Sequence, residues 1–347
     1  MADGHLHGVN LTGWLTLEPW VTPELFAQSG SLDEETLARN LGRRRYADVV
    51  SAHRSSFIQR NDFVQIASRG FNAVRLPVPW YVFGRKGPEP GPYQGCIDYV
   101  DQALDWAEEI GLHVIFAFVI NAGAPNSGNG ISPDLADCHV PRSEILRVIG
   151  TFCKRYAFRM GFYGIEVADA VVPQVRRGLM VTDGVPAHRL RNYYRDAYEV
   201  VRNACGDDVL VILPDGGVPA LWGRFMAQTH YKNVWLDVQL DNPPQGVDVG
   251  GPSGIRKVMD AQNAHIRAAM RTGMPVMVGK WSSALPLADS DMTPEGRVAL
   301  ERIYSSEQIA LYGKRPAWFF NTWKTSGLLA SWDARVTLAT FERGMIV

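Results

Sequence analysis

Four charged side chains in this sequence have the types and positions that catalysis requires. Arg75 lies on a strand-like segment, and Asp169, Asp241 and Lys280 stand at or near the ends of three others. A lysine beside carboxylates and an arginine can have a shifted pKa, and such groups mark candidate sites. Lys280 could act as a general base, a Schiff-base nucleophile or an electrostatic clamp for an anionic substrate, with Asp169 or Asp241 as its proton partner. The alternative is that these charged side chains only neutralise one another and support an empty cleft, without a catalytic role.

Eight short β-branched or aromatic runs predict the strands that position these residues. Most of the runs are continuously apolar, as expected of parallel strands that are covered on both faces. The predicted strands are Gly8–Trp14, Ala73–Val78, His113–Val119, Tyr163–Asp169, Val209–Asp215, Val234–Leu240, Pro275–Trp281 and Ala317–Trp323.

Amphipathic stretches between the strands predict helices, and Thr293-Pro294-Glu295 is typical of a capped helix start. The alternation predicts an α/β protein, a single (β/α)8 TIM barrel over residues 1–347 with a long first crossover over residues 15–72. The predicted helices cover Ile97–Ile110, Ser143–Phe158, His188–Ala204 and Ile255–Arg271.

Active sites of such barrels lie at the carboxyl ends of the strands, and this rule selects the positions that could form the site. The selected positions are Trp14, Glu18, Arg75, Val119, Asp169, Ala170, Gln239, Asp241, Lys280 and Trp323.

Composition argues against several classes of protein. The 347 residues include 35 Lys+Arg and 36 Asp+Glu, and the near-neutral balance disfavours nucleic-acid binding. No apolar run is long enough to predict a membrane span. The four scattered cysteines predict reduced thiols rather than a disulfide framework or a zinc site. The amino-terminal residues lack the pattern of a signal peptide, so we expect a cytoplasmic protein unless a leader has been removed.

Several blocks in matching order resemble glycoside hydrolase family 5, specifically its exo-β-1,3-glucanase branch. The resemblance covers nearly the whole chain and implies the same barrel fold. The blocks include GVNLTGWLTLEPWVTPELF (8–26), GIEVADA (164–170), NVWLDVQLD (233–241), VGKWSSAL (278–285) and WFFNTWKT (318–325).

The family cleaves glycosides with retention, which needs two carboxyl groups about 5–5.5 Å apart. By resemblance, the acid/base glutamate of an Asn-Glu-Pro triplet corresponds to Ala170, and the nucleophile of a Gly-Glu-Trp-Ser block corresponds to Lys280. Alanine cannot protonate a leaving group, and a cationic lysine would oppose an oxocarbenium-like transition state. The resemblance therefore implies that both catalytic glutamates are replaced and that retaining hydrolysis is absent.

Other pocket positions also depart from the family pattern. The histidine after the third strand corresponds to Val119 or Ala122, and the His-x-Tyr pair after the sixth strand corresponds to Gln239 and Asp241. The Trp-x-Trp block at the eighth strand begins with Asn321. The departures from the family pattern therefore extend around the pocket.

Three family residues remain, and the resemblance implies their roles. Glu18 would hydrogen-bond a sugar hydroxyl, and Trp323 would stack beneath a sugar ring at the pocket floor. Arg75, which would have oriented the missing nucleophile, would face a like charge in Lys280.

Three functions remain open. The first is a repurposed, cofactor-independent enzyme that uses Lys280, Asp169 and Asp241 for proton transfer, cyclisation, elimination or isomerisation of a small polar or aromatic metabolite. The second is a non-catalytic carbohydrate- or β-glucan-binding pseudoenzyme, and the third is a weak β-glucosidase or exo-glucanase. We expect a monomer with a small-molecule or sugar-like ligand, without cofactor, metal, nucleic-acid or membrane partners. The expected ligand-binding residues are Glu18, Arg75, Gln239, Asn321 and Trp323.

Overall fold

Eight parallel strands close into a barrel in the computed structural model, which describes residues 5–84, 93–120, 140–178, 180–182, 184–241, 252–285, 293–327 and 329–339. Strands β5 and β6 form a separate antiparallel hairpin, and the other eight strands form the barrel. The strands are β1 (Leu6–Asn10), β2 (Ala73–Pro79), β3 (His113–Val119), β4 (Phe162–Glu166), β5 (Arg176–Arg177), β6 (Met180–Val181), β7 (Leu210–Pro214), β8 (Val234–Leu240), β9 (Val276–Trp281) and β10 (Ala317–Phe320).

Helices surround the barrel, and within the described ranges none is long and apolar enough to cross a membrane. Short 3₁₀ turns follow β7 and β10. The α-helices are α1 (Pro23–Ala27), α2 (Glu34–Ser56), α3 (Arg60–Ser68), α4 (Ile97–Ile110), α5 (Arg142–Tyr156), α6 (Ala187–Cys205), α7 (Pro252–Met270), α8 (Pro294–Tyr312) and α9 (Ala334–Thr337).

The TIM barrel predicted from the sequence is confirmed, but some strands are shorter than predicted. Strands β1, β4 and β10 end at Asn10, Glu166 and Phe320, so Asp169 and Trp323 lie in the loops that follow β4 and β10. The long first crossover contains α1, α2 and α3, which the sequence patterns did not identify. The capped start of α8 is confirmed.

Side chains alternate along the barrel strands, and those that point inwards fill the lumen. One buried apolar cluster includes Ile115, Met277 and Phe319. Nearer the carboxyl ends of the strands the buried residues become polar, with Arg75 on β2 and Glu166 on β4 joined by hydrogen bonds. The candidate site is built on this polar layer.

Candidate active site

A register shift between β8 and β9 determines the direction of Lys280. Val238 pairs with Val278, whereas the next residue, Gln239, pairs with Lys280, so Gly279 is an extra residue in β9. In a regular strand Lys280 would share a face with Val278, since side chains two positions apart point the same way. The bulge redirects Lys280 towards the other charged groups, as bulges near active sites often do.

Only glycine fits at position 279. A Cβ atom there would collide with the carboxylate of Asp237, which is completely buried. The Gly279 backbone N–H donates to Asp237 Oδ1 at 2.5 Å. The bulge therefore also fixes a buried carboxyl group of β8 beside β9.

Asp169 joins the two cations of the site. Its Oδ1 accepts from Arg75 Nη2 and from Lys280 Nζ, each at 2.8 Å. Arg75 faces a like charge in Lys280, as the resemblance implied, and this carboxylate bridges the two cations. Burial alone would raise the pKa of Asp169, but Arg75 and Lys280 hold it well below its usual range.

Glu166 is a central residue that sequence reasoning missed. It accepts hydrogen bonds from Arg75 Nε at 2.9 Å and from Arg75 Nη2 at 2.6 Å. Gln239 Nε2 donates to Glu166 Oε1 at 3.2 Å and lies 3.0 Å from Asp169 Oδ1 and 3.3 Å from Asp237 Oδ2. The signal that could have revealed Glu166 is a carboxylate within an apolar strand run, because a buried charge needs a partner.

The buried carboxyl groups of Glu166 and Asp237 retain protons more strongly than free carboxylic acids. Burial raises the pKa of Glu166 to about 8, although Arg75 opposes this shift. Burial also raises the pKa of Asp237, and the charge of Arg75 again opposes it. Of these two groups, Glu166 is the one that holds its proton near neutral pH.

Replacement of Glu166 by glutamine should remove part of the pH dependence of stability. The pKa of this carboxyl is about 8 in the folded chain and 4.5 without the fold, so the folded state binds more protons between these pH values. Its contribution is fully present below pH 4.5 and is lost as the pH rises through about 8. Urea unfolding at about pH 5 and about pH 8.5 should show a steeper loss for wild type than for Glu166→Gln. Equal losses would contradict this assignment.

Glu18 lies half-buried on the loop after β1, and the site charges act on it. Its Oε2 accepts from Trp20 Nε1 at 2.7 Å. Burial raises the pKa of Glu18 to about 7, the charge of Lys280 lowers it, and the charges of Asp169 and Asp241 raise it. Glu18 can therefore exchange a proton near neutral pH.

Asn321 and Asp241 connect the ends of β10 and β8. Asn321 Nδ2 donates to Asp241 Oδ2 at 3.2 Å, and Asn321 Oδ1 accepts from Thr12 Oγ1 at 2.7 Å. Ser282 Oγ donates to the Asp241 carbonyl at 2.7 Å. The structure thus places both predicted residues beside the loop that carries Glu18 and the end of β9, which carries Lys280.

Trp323 does not form the floor of an open pocket, which corrects the expectation from the resemblance. Its side chain is completely buried. Its Nε1 donates to Asp62 Oδ1 at 2.8 Å, and the Arg69 guanidinium lies 5.2 Å from the ring centroid. Because β10 ends at Phe320, the following chain turns Trp323 towards α3 and its flanking residues instead of the strand ends.

The charge state of Lys280 limits its chemistry. Burial alone would lower its pKa, but Asp169 and Asp241 raise it above the ordinary value despite the opposing charge of Arg75. A protonated amine has no free electron pair, so this arrangement disfavours a general base and a Schiff-base nucleophile. It fits the third predicted role, a fixed cation, and the side chain is 12% exposed and can contact a ligand.

A separate cavity lies outside the strand ends. It has a volume of about 780 Å³ and lies between α1, the second half of α2 and the loop after β10, and its lining includes His53, Phe57 and Lys324. Lys324 is neutralised there by Asp62, 2.9 Å from each carboxylate oxygen. In the described part of the chain, no three His, Cys, Asp or Glu side chains are grouped to hold a metal ion. Ala122 lies outside the described residues.

Solved structures show the class of fold to which this chain belongs. The alignment with a rutinosidase from Aspergillus niger covers 95% of this chain and 93% of the rutinosidase chain, with a TM-score of 0.72 and 18% identity. The alignment with a glycoside hydrolase family 5 enzyme from Prevotella bryantii covers 100% of this chain and 97% of that enzyme's chain, with a TM-score of 0.66 and 14% identity. At these identities the likeness shows the fold alone, a TIM barrel of the type that glycoside hydrolases use.

Sequence relatives identify the family within that class. "Probable glucan 1,3-beta-glucosidase A" of Aspergillus clavatus is 30% identical over 385 residues, covering 96% of this chain and 86% of the relative. The protein of the same description from Aspergillus fumigatus is 29% identical over 374 residues, covering 97% and 86%. No protein-family model matches the chain. The chain belongs to the glucan 1,3-β-glucosidase family, so the predicted resemblance to this family is confirmed.

Proposed function

We propose that this family member has lost retaining glycoside hydrolysis. The main support for this proposal is the ion pair between Lys280 and Asp169 at 2.8 Å. It puts a cation where the resemblance assigns the nucleophilic carboxylate. The position assigned to the acid/base is Ala170, which cannot donate a proton. Hydrolysis requires both groups, so their replacement removes both halves of the reaction.

The other carboxyl groups are poor substitutes for the missing pair. Glu166 is completely buried and is held by Arg75, so a sugar cannot reach it. Asp169 is held by two cations, which reduce its nucleophilicity. Glu18 can supply a proton, but a retaining reaction also needs a nucleophile on the opposite side of the glycosidic bond. These constraints make weak glucosidase activity the least supported of the three functions.

In the chemistry that we propose instead, Glu18 moves a proton and Lys280 stabilises negative charge. The Glu18 pKa of about 7 suits a group that alternates between acid and base near neutral pH. The Lys280 ammonium is held in place by Asp169 and would face an oxygen atom that becomes negative when a carbon–hydrogen bond is broken. This pair supports a cofactor-independent isomerisation, elimination or cyclisation of a small polar or aromatic metabolite.

A non-catalytic carbohydrate binder is the second candidate, and one observation favours it. The ring centroids of Trp20 and Trp332 lie 5.1 Å apart with the ring planes at 59°, and Trp20 donates a hydrogen bond to Glu18. Half-buried aromatic rings beside a carboxylate can contact both the apolar face and the hydroxyls of a sugar. In this function Lys280 would only complete the charge network.

Purified protein should neither hydrolyse laminarin nor release the aryl group of an aryl β-glucoside. It should also form no covalent adduct with a 2-deoxy-2-fluoro-β-glucoside that has an activated leaving group, because no carboxylate stands at position 280. Intact mass spectrometry detects such an adduct, and a glucan 1,3-β-glucosidase with both glutamates serves as the positive control. Robust turnover or a glycosyl adduct on the wild-type chain would refute the loss of hydrolysis.

Titration calorimetry with laminaribiose distinguishes the two proposed functions. A carbohydrate binder should bind it with micromolar affinity, lose binding on Trp20→Ala or Trp332→Ala, and keep it on Lys280→Met. The proposed enzyme should show no such affinity. It should instead retain a non-sugar metabolite through purification, detectable by native mass spectrometry and lost on Lys280→Met.

A further inference from the structure

Helices α5 and α6 approach each other closely on the outside of the barrel. A Cβ atom at Gly150 of α5 would come within 3.0 Å of Val200 Cγ1 of α6, so glycine permits this approach. Cys153 lies about one turn after Gly150, and Cys205 is the last residue of α6. The close packing brings two cysteines, 52 residues apart in the chain, next to each other.

Cys205 is in direct contact with Cys153. Its Sγ donates to the Cys153 carbonyl oxygen at 3.4 Å. Cys153 is buried, whereas Cys205 is half-buried and within reach of a small solute. One turn before Cys205, Arg202 adds a positive charge that acts on both thiols.

We propose that Cys153 and Cys205 form a redox modification site, in which a two-electron oxidant such as hydrogen peroxide converts the two thiols into a disulfide. This assignment is independent of the function proposed for the strand ends. It goes beyond the prediction of four reduced thiols, because proximity in the folded chain makes these two a reactive pair.

The reaction proceeds in two balanced steps. The Cys205 thiolate attacks one oxygen of hydrogen peroxide, the O–O bond breaks, and hydroxide leaves as sulfur is oxidised to a sulfenic acid. The Cys153 sulfur then attacks Cys205 Sγ, the S–O bond breaks, and the Cys153 proton leaves with the hydroxyl group as water. The hydroxide from the first step takes up the proton that the Cys205 thiol lost on ionising, so two thiols and one peroxide give one disulfide and two waters in total.

The environments of the thiols support this order of events. The neighbouring Cys153 side chain lowers the pKa of Cys205, and Arg202 lowers it further, which favours the attacking thiolate. The Cys205 side chain and burial raise the pKa of Cys153. Burial raises the pKa of Cys96 to about 11, so Cys96 provides an unreactive internal control.

Peptide mapping of the full chain after exposure to hydrogen peroxide tests the proposal. Free thiols are blocked with N-ethylmaleimide before digestion, and the Cys138→Ser background removes the cysteine that lies outside the described residues. The expected product is a Cys153–Cys205 linked peptide, formed at least about tenfold faster than the Cys96 thiol is lost. The matched control, Cys96→Ser, should form the same peptide at the same rate.

Single variants separate the two steps. Cys205→Ser should abolish the linked peptide, whereas Cys153→Ser should leave a sulfenic acid on Cys205 that dimedone traps. The proposal fails if Cys153 and Cys205 remain separately alkylated in folded Cys138→Ser protein, or if Cys205 links only to another chain. Because that readout uses neither single variant, a folding defect in Cys153→Ser or Cys205→Ser does not affect it.

Discussion

The Arg75→Met protein is expected to be less stable than wild type by about 3–5 kcal/mol, the usual cost of breaking a buried ion pair on one side. Arg75 is completely buried and donates to Glu166, Asp169 and Asn10. Methionine fills much of the same space but donates no hydrogen bond, so these acceptors lose their partner in the interior. Urea denaturation followed by circular dichroism at neutral pH measures the difference.

A surface arginine provides the matched control. Arg147 forms a 2.6 Å ion pair with Glu144 on α5, and its side chain is 60% exposed. Arg147→Met should therefore change the free energy of unfolding by less than about 1 kcal/mol, because water replaces the lost partner. Similar losses for the two variants would show that the Arg75 network is not what holds the strand ends together.

The Asp169→Asn protein should have a Lys280 amine at least about tenfold more reactive towards aldehydes at mildly alkaline pH. Burial and the charge of Arg75 lower the pKa of Lys280, whereas the charge of Asp169 raises it. Without that carboxylate, those two effects should increase the neutral fraction of the amine. Labelling with pyridoxal phosphate and borohydride, followed by peptide mapping, measures the reactivity of Lys280.

Asp101→Asn is the control for this experiment, because Asp101 pairs with Arg155 on the outside of the barrel. Its Lys280 labelling should equal that of wild type. If wild-type Lys280 were already labelled as fast as in Asp169→Asn, the lysine would be a neutral amine in the native site. The fixed-cation role would then be replaced by the general-base or Schiff-base role.

The pattern of the chain was sufficient to predict the barrel and its family. Eight apolar strand runs separated by amphipathic helices leave few alternatives, because parallel strands need helices on their outer faces. Motif order then identified the positions at the strand ends, including Ala170 and Lys280. Strand ends were less predictable, since Leu11 and Trp14 after β1 and Trp323 after β10 are the kinds of residue that strands contain.

The partners of these residues depended on the tertiary structure. Arg75 and Glu166 are 91 residues apart in the chain, and only closure of the barrel places them in contact. Lys280 faces Asp169 because of a one-residue bulge, for which Gly279 alone is no reliable signal. Trp323 is a buried hydrogen-bond donor instead of an exposed ring, and this too has a local cause, since β10 ends earlier than predicted.

The order of residues along the chain thus determined which side chains could meet at the strand ends. The tertiary structure decided their charge states, because burial and the nearest opposite charge set a pKa. The sequence alone could assign Lys280 three roles, whereas its contact with Asp169 leaves an ammonium group. Glu18 was expected to bind a hydroxyl, and its burial near Lys280 and Asp241 makes it the group that can exchange a proton near neutral pH.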